Sequence, residues 1–328
     1  MEQQINQLFE WLDQTSTTIE KKEDVPYIEA VIASSQLLFE NEIPENLEPS
    51  YEKELQDKLK EIKLEDFPLE VRRKAMQLVI LKGMKGFTQQ QHYITPDTIG
   101  MFIGYLVQKF MDGKKSFRMF DPACGSANLL LTLLNQLKDV DVKAFGSEVD
   151  PTLIRLAFNH TNLQERQIEY FHQDSLKPIL LEPVDLVVAD LPIGFYPDDE
   201  NASQYDLKAE EGHSFAHHLF IEQSLKYTNP EGYLFFIVPS FLFESEQKDQ
   251  LQSFLKKHAH INAVLELPDT MFKDEKLSKS ILVLQKKGEE TKDPNQVMLA
   301  QLPSFKDVHA MNGIMKQMED WFKNERLS

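Results

Sequence analysis

The chain has 328 residues, 41% of them hydrophobic and 10% aromatic, enough to fill the core of one large domain or two smaller ones. Its single cysteine excludes an internal disulfide framework and a cysteine-based zinc cluster, and no apolar run approaches the roughly 18 residues of a membrane span. A formal charge of -18 opposes nonspecific attraction to phosphate backbones, so any nucleic-acid groove has to be local.

The start, Met1-Glu2-Gln3-Gln4, carries no basic region followed by an apolar one, and with the lone cysteine a reducing, cytoplasmic compartment is expected. Residues 1–90 read as helix throughout. Ile5, Leu8, Phe9 and Leu12 recur at three to four residues, as do Leu55, Leu59 and Ile62, and then Val71, Ala75, Leu78 and Val79. Breaks at Pro26, around Pro44 to Pro49 and at Pro68 predict about four helices in a small bundle that docks on the rest. The polar segment Lys82-Gly83-Met84-Lys85-Gly86 reads as a hinge.

The pattern then changes. Thr95-Pro96-Asp97 predicts a helix start, with Thr95 as N-cap and Pro96 at the first helical position. Strands follow at 117–120, 142–146, 168–172, 184–189, 233–238, 263–267 and 280–285, with helices at 128–138, 152–162, 214–227 and 247–258 between them. This alternation predicts an α/β domain over 91–290: a seven-stranded, mostly parallel sheet with helices on both faces and an antiparallel hairpin at one edge. Residues 291–328 form a C-terminal extension, in which Val308, Met311, Ile314, Met318 and Trp321 predict an amphipathic helix packed on the sheet domain.

Four strand ends carry chemistry. Asp121-Pro122-Ala123-Cys124-Gly125-Ser126 lies between a strand and a helix, where backbone amides face a ligand, Gly125 allows close approach and Asp121 can accept from a cationic amine. It lacks the Gly-Lys-Ser/Thr of a phosphate-binding loop and the Gly-x-Gly-x-x-Gly of nicotinamide and flavin sites. The next strand ends at Ser147-Glu148-Val149-Asp150, and an acid about 25 positions after the glycine loop is placed to accept from both ribose hydroxyls of a nucleoside cofactor. A third strand ends at Gln173-Asp174-Ser175, where a carboxylate can accept from an adenine amino group. A fourth ends at Asp190-Leu191-Pro192-Ile193-Gly194, with Pro192 keeping Leu191 extended. Cys124 has no base beside it in sequence and reads as a small buried residue. His217 and His218, neighbours on a helix, point about 100° apart and read as packing or a pocket wall, so no metal site is expected.

This ordered set, Thr95-Pro96, Asp121 to Ser126, Glu148, Asp174 and Asp190-Leu191-Pro192-Ile193, resembles the class I S-adenosylmethionine-dependent methyltransferases. Within them it is most similar to the adenine-specific (N6) DNA methyltransferases, in particular the modification subunit of type I restriction systems, as a stand-alone relative without a target-recognition domain. The likeness covers roughly residues 90–287 and extends through Gly232-Tyr233, Val238-Pro239-Ser240, Leu267-Pro268, Met271-Phe272 and 280–286. It implies a Rossmann-like sheet and S-adenosyl-L-methionine as cofactor. Asp121 would hold the methionine amino end, Glu148 the ribose and Asp174 the adenine ring. Thr95, Pro122, Ala123, Cys124, Gly125, Ser126, Asn128, Val149, Ser175 and Asp190 would complete the cofactor's surroundings. Asp190, Leu191 and Pro192 would be catalytic: the Asp190 side chain and the Leu191 carbonyl accept hydrogen bonds from the target amine and direct its lone pair at the methyl group.

The acceptor loop departs from the family's Asn/Asp/Ser-Pro-Pro-aromatic pattern at Leu191 and at Ile193, which cannot stack on a flipped-out base. Such stacking is worth about 1–3 kcal/mol per base, so Phe195 or Tyr196, across Gly194, join Ile193 as substrate-binding candidates. Ala127-Asn128 stand where the family usually has further glycine. The resemblance implies N-methylation of adenine in nucleic acid, with DNA favoured and the acidic charge opposing it. Methylation of a protein glutamine amide or of RNA, and a noncatalytic cofactor-binding scaffold with a protein partner, stay open.

Overall fold

In the computed structural model residues 1–86, 94–272, 274 and 277–326 are described. The first 86 residues form helices α1 (Glu2–Glu23), α2 (Tyr27–Glu40), α3 (Pro49–Lys60) and α4 (Leu69–Gly83). Prolines open three of them: Pro26 and Pro68 stand at the residue before the first turn and Pro49 inside it, where a fixed φ costs nothing and the missing N–H has no partner to lose. Asp24 and Asn41 close α1 and α2 in the left-handed region, at φ 52° and 53°. Leu8, Leu12, Val31, Val71, Met76 and Val79 are buried between these helices, and the same core takes in Leu153, Leu156 and Leu163 of α7 (Pro151–Leu163). The bundle is thus built against α7 rather than beside it. Asn159 donates to the Ile32 carbonyl at 2.8 Å and Arg155 pairs with Glu29 at 2.6 Å across the same seam. The segment expected to be a hinge is the last turn of α4 followed by a 3-10 turn at Met84–Gly86. The boundary expected at residues 90 and 91 lies outside the described residues.

Among the described residues eight strands make one sheet: β1 (Ser116–Asp121), β2 (Asp141–Glu148), β3 (Ile168–His172), β4 (Val184–Asp190), β5 (Thr228–Pro239), β6 (Ala259–Glu266), β7 (Lys279–Lys286) and β8 (Met298–Gln301). Their order is β3-β2-β1-β4-β5-β7-β6-β8. β7 runs antiparallel between β5 and β6, and β8 pairs parallel with the outer side of β6. The seven-stranded expectation is corrected by β8, whose four residues are too short to signal a strand, and the β6–β7 hairpin accordingly sits one strand in from the edge. The chain leaves β1 in one direction along the sheet and returns to β4 on its other side, so the crevice at their carboxyl ends is the switch point where such sheets bind ligands.

Side chains alternate between two cores, as period-two strands covered on both faces require. Val188, Phe235 and Ile281 face one core with Ile103, Leu106 and Leu130; Val187, Leu234 and Phe236 face the other with Leu219 and Ile221. The first core is roofed by α5 (Asp97–Phe110), α6 (Asn128–Gln136) and α11 (Val308–Arg326), and the second by α9 (Ala216–Lys226) and α10 (Lys248–His258). Met318 and Phe322 of α11 are buried, and the Phe322 ring meets Phe110 edge-on at 4.9 Å. Among the described residues no helix is long and apolar enough to cross a membrane.

Candidate cofactor and acceptor site

β1 delivers Asp121 to the crevice almost fully buried, 1% exposed, with its carboxylate accepting the Ala123 N–H at 3.0 Å. The chain then turns through Gly125 at φ 53° and Ala127 at φ 63°, and α6 begins. A Cβ on Gly125 would meet nothing within 4 Å, so the loop leaves open space where a ligand would approach its backbone. Two bonds lock the loop to β2: the Cys124 N–H donates to the Ser147 carbonyl at 3.0 Å, and the Gly125 N–H to Glu148 Oε2 at 2.9 Å. Glu148 Oε1 accepts from the N–H groups of Val149 and Asp150, each at 2.9 Å. Beyond β3, the Asp174 carboxylate accepts the Leu176 N–H at 2.9 Å, while Ser175 donates to the Pro122 carbonyl at 2.5 Å. The strand ends are therefore stitched together before any ligand arrives.

Burial pushes the Asp121 carboxyl well above its ordinary value; the Ala123 bond opposes this, and the Glu148 and Asp190 charges add to it. Glu148 is also raised by burial, against its three backbone bonds. Burial, Asp121 and Glu148 together push the Cys124 thiol up, so Cys124 is a neutral, packed side chain rather than a thiolate nucleophile. A crevice that concentrates under-neutralised carboxylates is complementary to a cation. S-adenosylmethionine, with an ammonium and a sulfonium, fits that charge; the open side of Gly125 fits its bulk, and a carboxylate at each of the next two strand ends fits its hydroxyl and amino donors.

The acceptor loop follows β4. The Leu191 N–H continues the β4–β5 pairing by donating to the Ile237 carbonyl at 3.1 Å, which leaves Leu191 1% exposed and fixes Asp190 at the rim. Gly194, at φ 130°, reverses the chain so that the loop pairs with the residues that lead into α9: Ala216 N–H, at its first residue, donates to the Gly194 carbonyl at 2.9 Å and Tyr196 N–H to the Ser214 carbonyl at 2.8 Å. Phe195 and Phe215 then lie side by side with rings stacked at 5.0 Å and 14°, and Phe195 is 61% exposed. Ile193 is half-buried. Tyr196 is corrected as a free stacking ring, because it turns inward, is 6% exposed, and donates its hydroxyl to Asp174 Oδ2 at 2.5 Å. Thr95 is corrected as an N-cap: α5 starts at Asp97 with no side-chain cap, and the Thr95 hydroxyl donates to Asp190 Oδ2 at 3.2 Å.

Asp190 has a second partner that sequence reasoning missed. Lys279, the first residue of β7, places its Nζ 2.6 Å from Asp190 Oδ1. The two are separated by β5, with Asp190 opposite Ile237 and Lys279 opposite Pro239, so the pair forms only because β7 turns back beside β5. Nothing local in the sequence signals it. His217 and His218 are fully buried on α9, with ring centroids 4.9 Å apart and planes at 88°. Burial pushes them down to about 3 and about 4, so both are neutral packing groups. Among the described residues no group of three His, Cys, Asp or Glu could hold a metal ion.

Residues 84–325 match the family model described as N-6 DNA Methylase, and residues 6–84 match one described as the YtxK N-terminal helical domain. The Bacillus subtilis protein YtxK is 47% identical over 324 residues, 98% of each chain. The type I restriction enzyme MpnII methylase subunit of Mycoplasma pneumoniae is 25% identical over 218 residues, which make up 58% of this chain and 40% of that subunit. Among solved structures, a Listeria monocytogenes protein assigned to the class I S-adenosylmethionine-dependent methyltransferases superposes with a TM-score of 0.92 at 43% identity, over 98% of this chain and 100% of that one. A Vibrio vulnificus structure assigned as a type I restriction modification subunit shares the fold, with a TM-score of 0.64 at 14% identity over 89% of this chain and 66% of that one. With a family model over most of its length and the fitting crevice at the switch point, the chain belongs to the N-6 DNA methylase family and is an S-adenosylmethionine-dependent methyltransferase.

Proposed function

We propose that this enzyme methylates a planar exocyclic amino nitrogen, adenine N6 in nucleic acid, by direct in-line displacement. The observation that carries the reading is the pairing of Asp190 at the strand end with the open face of Phe195 on the same loop. When bound, S-adenosylmethionine supplies a methyl group already activated on a sulfonium. Asp121, Glu148 and Asp174 would hold the donor through its ammonium, ribose and adenine. Asp190 and the Leu191 carbonyl would accept the two hydrogens of the target amine and orient its nitrogen lone pair for attack; as the nitrogen gains the methyl group the donor leaves as the neutral thioether, and the surplus amine proton passes to solvent. Phe195, backed by Phe215, takes over the stacking role that Ile193 cannot fill. Positioning is the main contribution asked of the protein.

Offering a tritium-labelled methyl donor to DNA, RNA and cell-extract protein in parallel tests this, with chromatography of the hydrolysed product. N6-methyladenine is the expected product, and Asp190→Ala is expected to lower its rate on the order of 100-fold or more, as loss of a group acting on the reacting atoms does. Calorimetric affinity for S-adenosylhomocysteine should change little. Label found only in protein would exclude the nucleic-acid reading. One observation favours that second outcome: Asp199, Glu200, Asp206, Glu210 and Glu211 are exposed between Phe195 and α9, a surface that repels a phosphate backbone and suits a glutamine presented by a basic protein segment.

Lys279 should influence the donor as well as the acceptor. Its charge stands against Asp190, whose own field reaches the buried Asp121. Lys279→Met is expected to tighten binding of the cationic donor relative to the neutral product by about 3- to 10-fold, the size of one unscreened charge several ångströms away at an effective dielectric constant of about 20 to 40. Calorimetry with S-adenosylmethionine and S-adenosylhomocysteine measures that ratio, and an unchanged ratio would place Lys279 outside the donor's field.

A further inference from the structure

Arg73 lies on α4 of the helical bundle and is 0% exposed. Its guanidinium is held from three sides. Nε and Nη2 donate to the two Glu70 carboxylate oxygens at 3.0 and 2.7 Å, on its own helix. Nη1 and Nη2 donate to the two Asp97 oxygens at 2.8 and 2.9 Å, in the first turn of α5. Nη1 also donates to Asn128 Oδ1 at 3.0 Å, on the first residue of α6. Two bidentate carboxylates and an amide thus absorb the donors of one buried cation, the strongest arrangement available to it. Burial raises the Glu70 and Asp97 carboxyls, but the Arg73 bonds and charge outweigh it and hold both below the ordinary range.

The partners are not arbitrary. Asn128 directly follows the Asp121–Ala127 loop, and its amide donates to the Thr95 carbonyl at 2.9 Å. Thr95 in turn donates to Asp190, which Lys279 pairs from the other side. One continuous polar chain therefore runs from the bundle, through the end of the cofactor loop, to the acid of the acceptor loop. The neighbouring Arg72 provides the contrast. Also buried, it donates to the Phe67 carbonyl at 2.7 Å, the Leu163 carbonyl at 3.2 Å and Glu165 at 2.6 Å. Phe67 belongs to the bundle itself, and Leu163 and Glu165 lie at the C-terminal end of α7, where the chain heads into the start of β3, at the opposite end of the sheet from the loops.

We propose that Arg73 is a positioning residue through which the N-terminal helices hold the cofactor loop and the acceptor acid in register, so that the bundle is a working part of the transferase site. Arg72 merely docks the bundle. The inference rests on the Asp121 loop being the cofactor site. Anything that tilts α4 then acts on cofactor affinity, because Asn128 and Asp97 cannot both follow a displaced guanidinium while keeping α5 and α6 in place.

The test uses the full chain, well below its melting temperature, with S-adenosylhomocysteine as probe. Arg73→Gln is expected to weaken calorimetric affinity at least 10-fold and to speed amide hydrogen exchange across residues 123–128, with Arg73→Lys intermediate in both. Arg72→Gln is expected to lower the melting temperature while leaving affinity within 2-fold. If Arg73→Gln does not fold, Asp97→Asn gives the same reading: a roughly 3-fold loss of affinity and faster exchange in the loop. Arg73 and Asp97 variants that melt earlier yet bind like wild type, with unchanged loop exchange, would overturn the proposal. Wild-type binding that survives Asp121→Asn would show instead that the loop assignment itself is wrong, and the inference would fall with it.

Discussion

Asp121→Asn is expected to raise the melting temperature of the free protein while abolishing measurable cofactor binding. The Asp121 carboxyl is raised in the folded state by burial and by its acidic neighbours, so between its ordinary value and its raised one the folded chain binds more protons than the unfolded chain. Stability therefore falls as pH rises through that interval, and the deficit persists above it. Asparagine keeps the shape and can still accept the Ala123 N–H, yet carries no charge to desolvate. Removing that desolvated charge is therefore expected to raise stability at neutral pH. On the proposed reading the same substitution removes the anion that would face the cofactor's ammonium. Scanning calorimetry at about pH 5 and about pH 8 measures the first effect, and the stability gap between variant and wild type should widen at the higher pH. A constant gap would mean that Asp121 is not strained by its charge, and isothermal titration with S-adenosylhomocysteine reads the loss of binding.

Acidification should act in the opposite sense through three buried histidines. Burial holds His160 at about 4, His217 at about 3 and His218 at about 4, all below the ordinary 6.5. Below that value the unfolded chain takes up protons that the folded chain refuses, so stability is lost progressively as pH falls toward 4. The drop from 6.5 to about 4 or about 3 corresponds to about 3–5 kcal/mol per histidine, and because His217 and His218 feel one another their contributions do not simply add. Asp121 and Glu148 gain stability over part of the same interval, so the total profile is a balance. The comparison with His217→Phe isolates one side of it. Phenylalanine keeps the stack on Phe215, whose centroid lies 5.2 Å from the His217 ring, and removes the titration. Between about pH 6.5 and about pH 5 the variant should lose about 2 kcal/mol less than wild type, measured by denaturant unfolding. Parallel losses in the two proteins would mean that His217 titrates freely.

The parts of the candidate site that were legible in the sequence are those whose place follows from position along one strand. Asp121, Glu148, Asp174 and Asp190 each end an apolar run, and a parallel sheet brings such ends to one rim whatever the details of packing. The proline-opened helices of the bundle were legible for the same local reason. What was not legible depends on neighbours remote in sequence. Lys279 meets Asp190 only across an intervening strand. Arg73 sits on a helix whose polar positions look like surface until α5 and α6 close over them. The direction taken by Tyr196 hangs on the backbone of Gly194, which sends Phe195 out and Tyr196 in; an alternating strand gives no hint of which ring will be free. β8 escaped notice because four residues carry no period.

That short strand has a consequence for how the molecule behaves in a crowd. An open sheet ends in a row of unpaired amides and carbonyls, a template on which another chain can add a strand and begin to aggregate. Here the eight-residue β6 would be such a template, and β8 pairs with its second half, Ala263 to Glu266. What remains at the two margins is a strand of four residues and one of five, β8 and β3. So short a margin offers a stranger few rungs on which to add a strand.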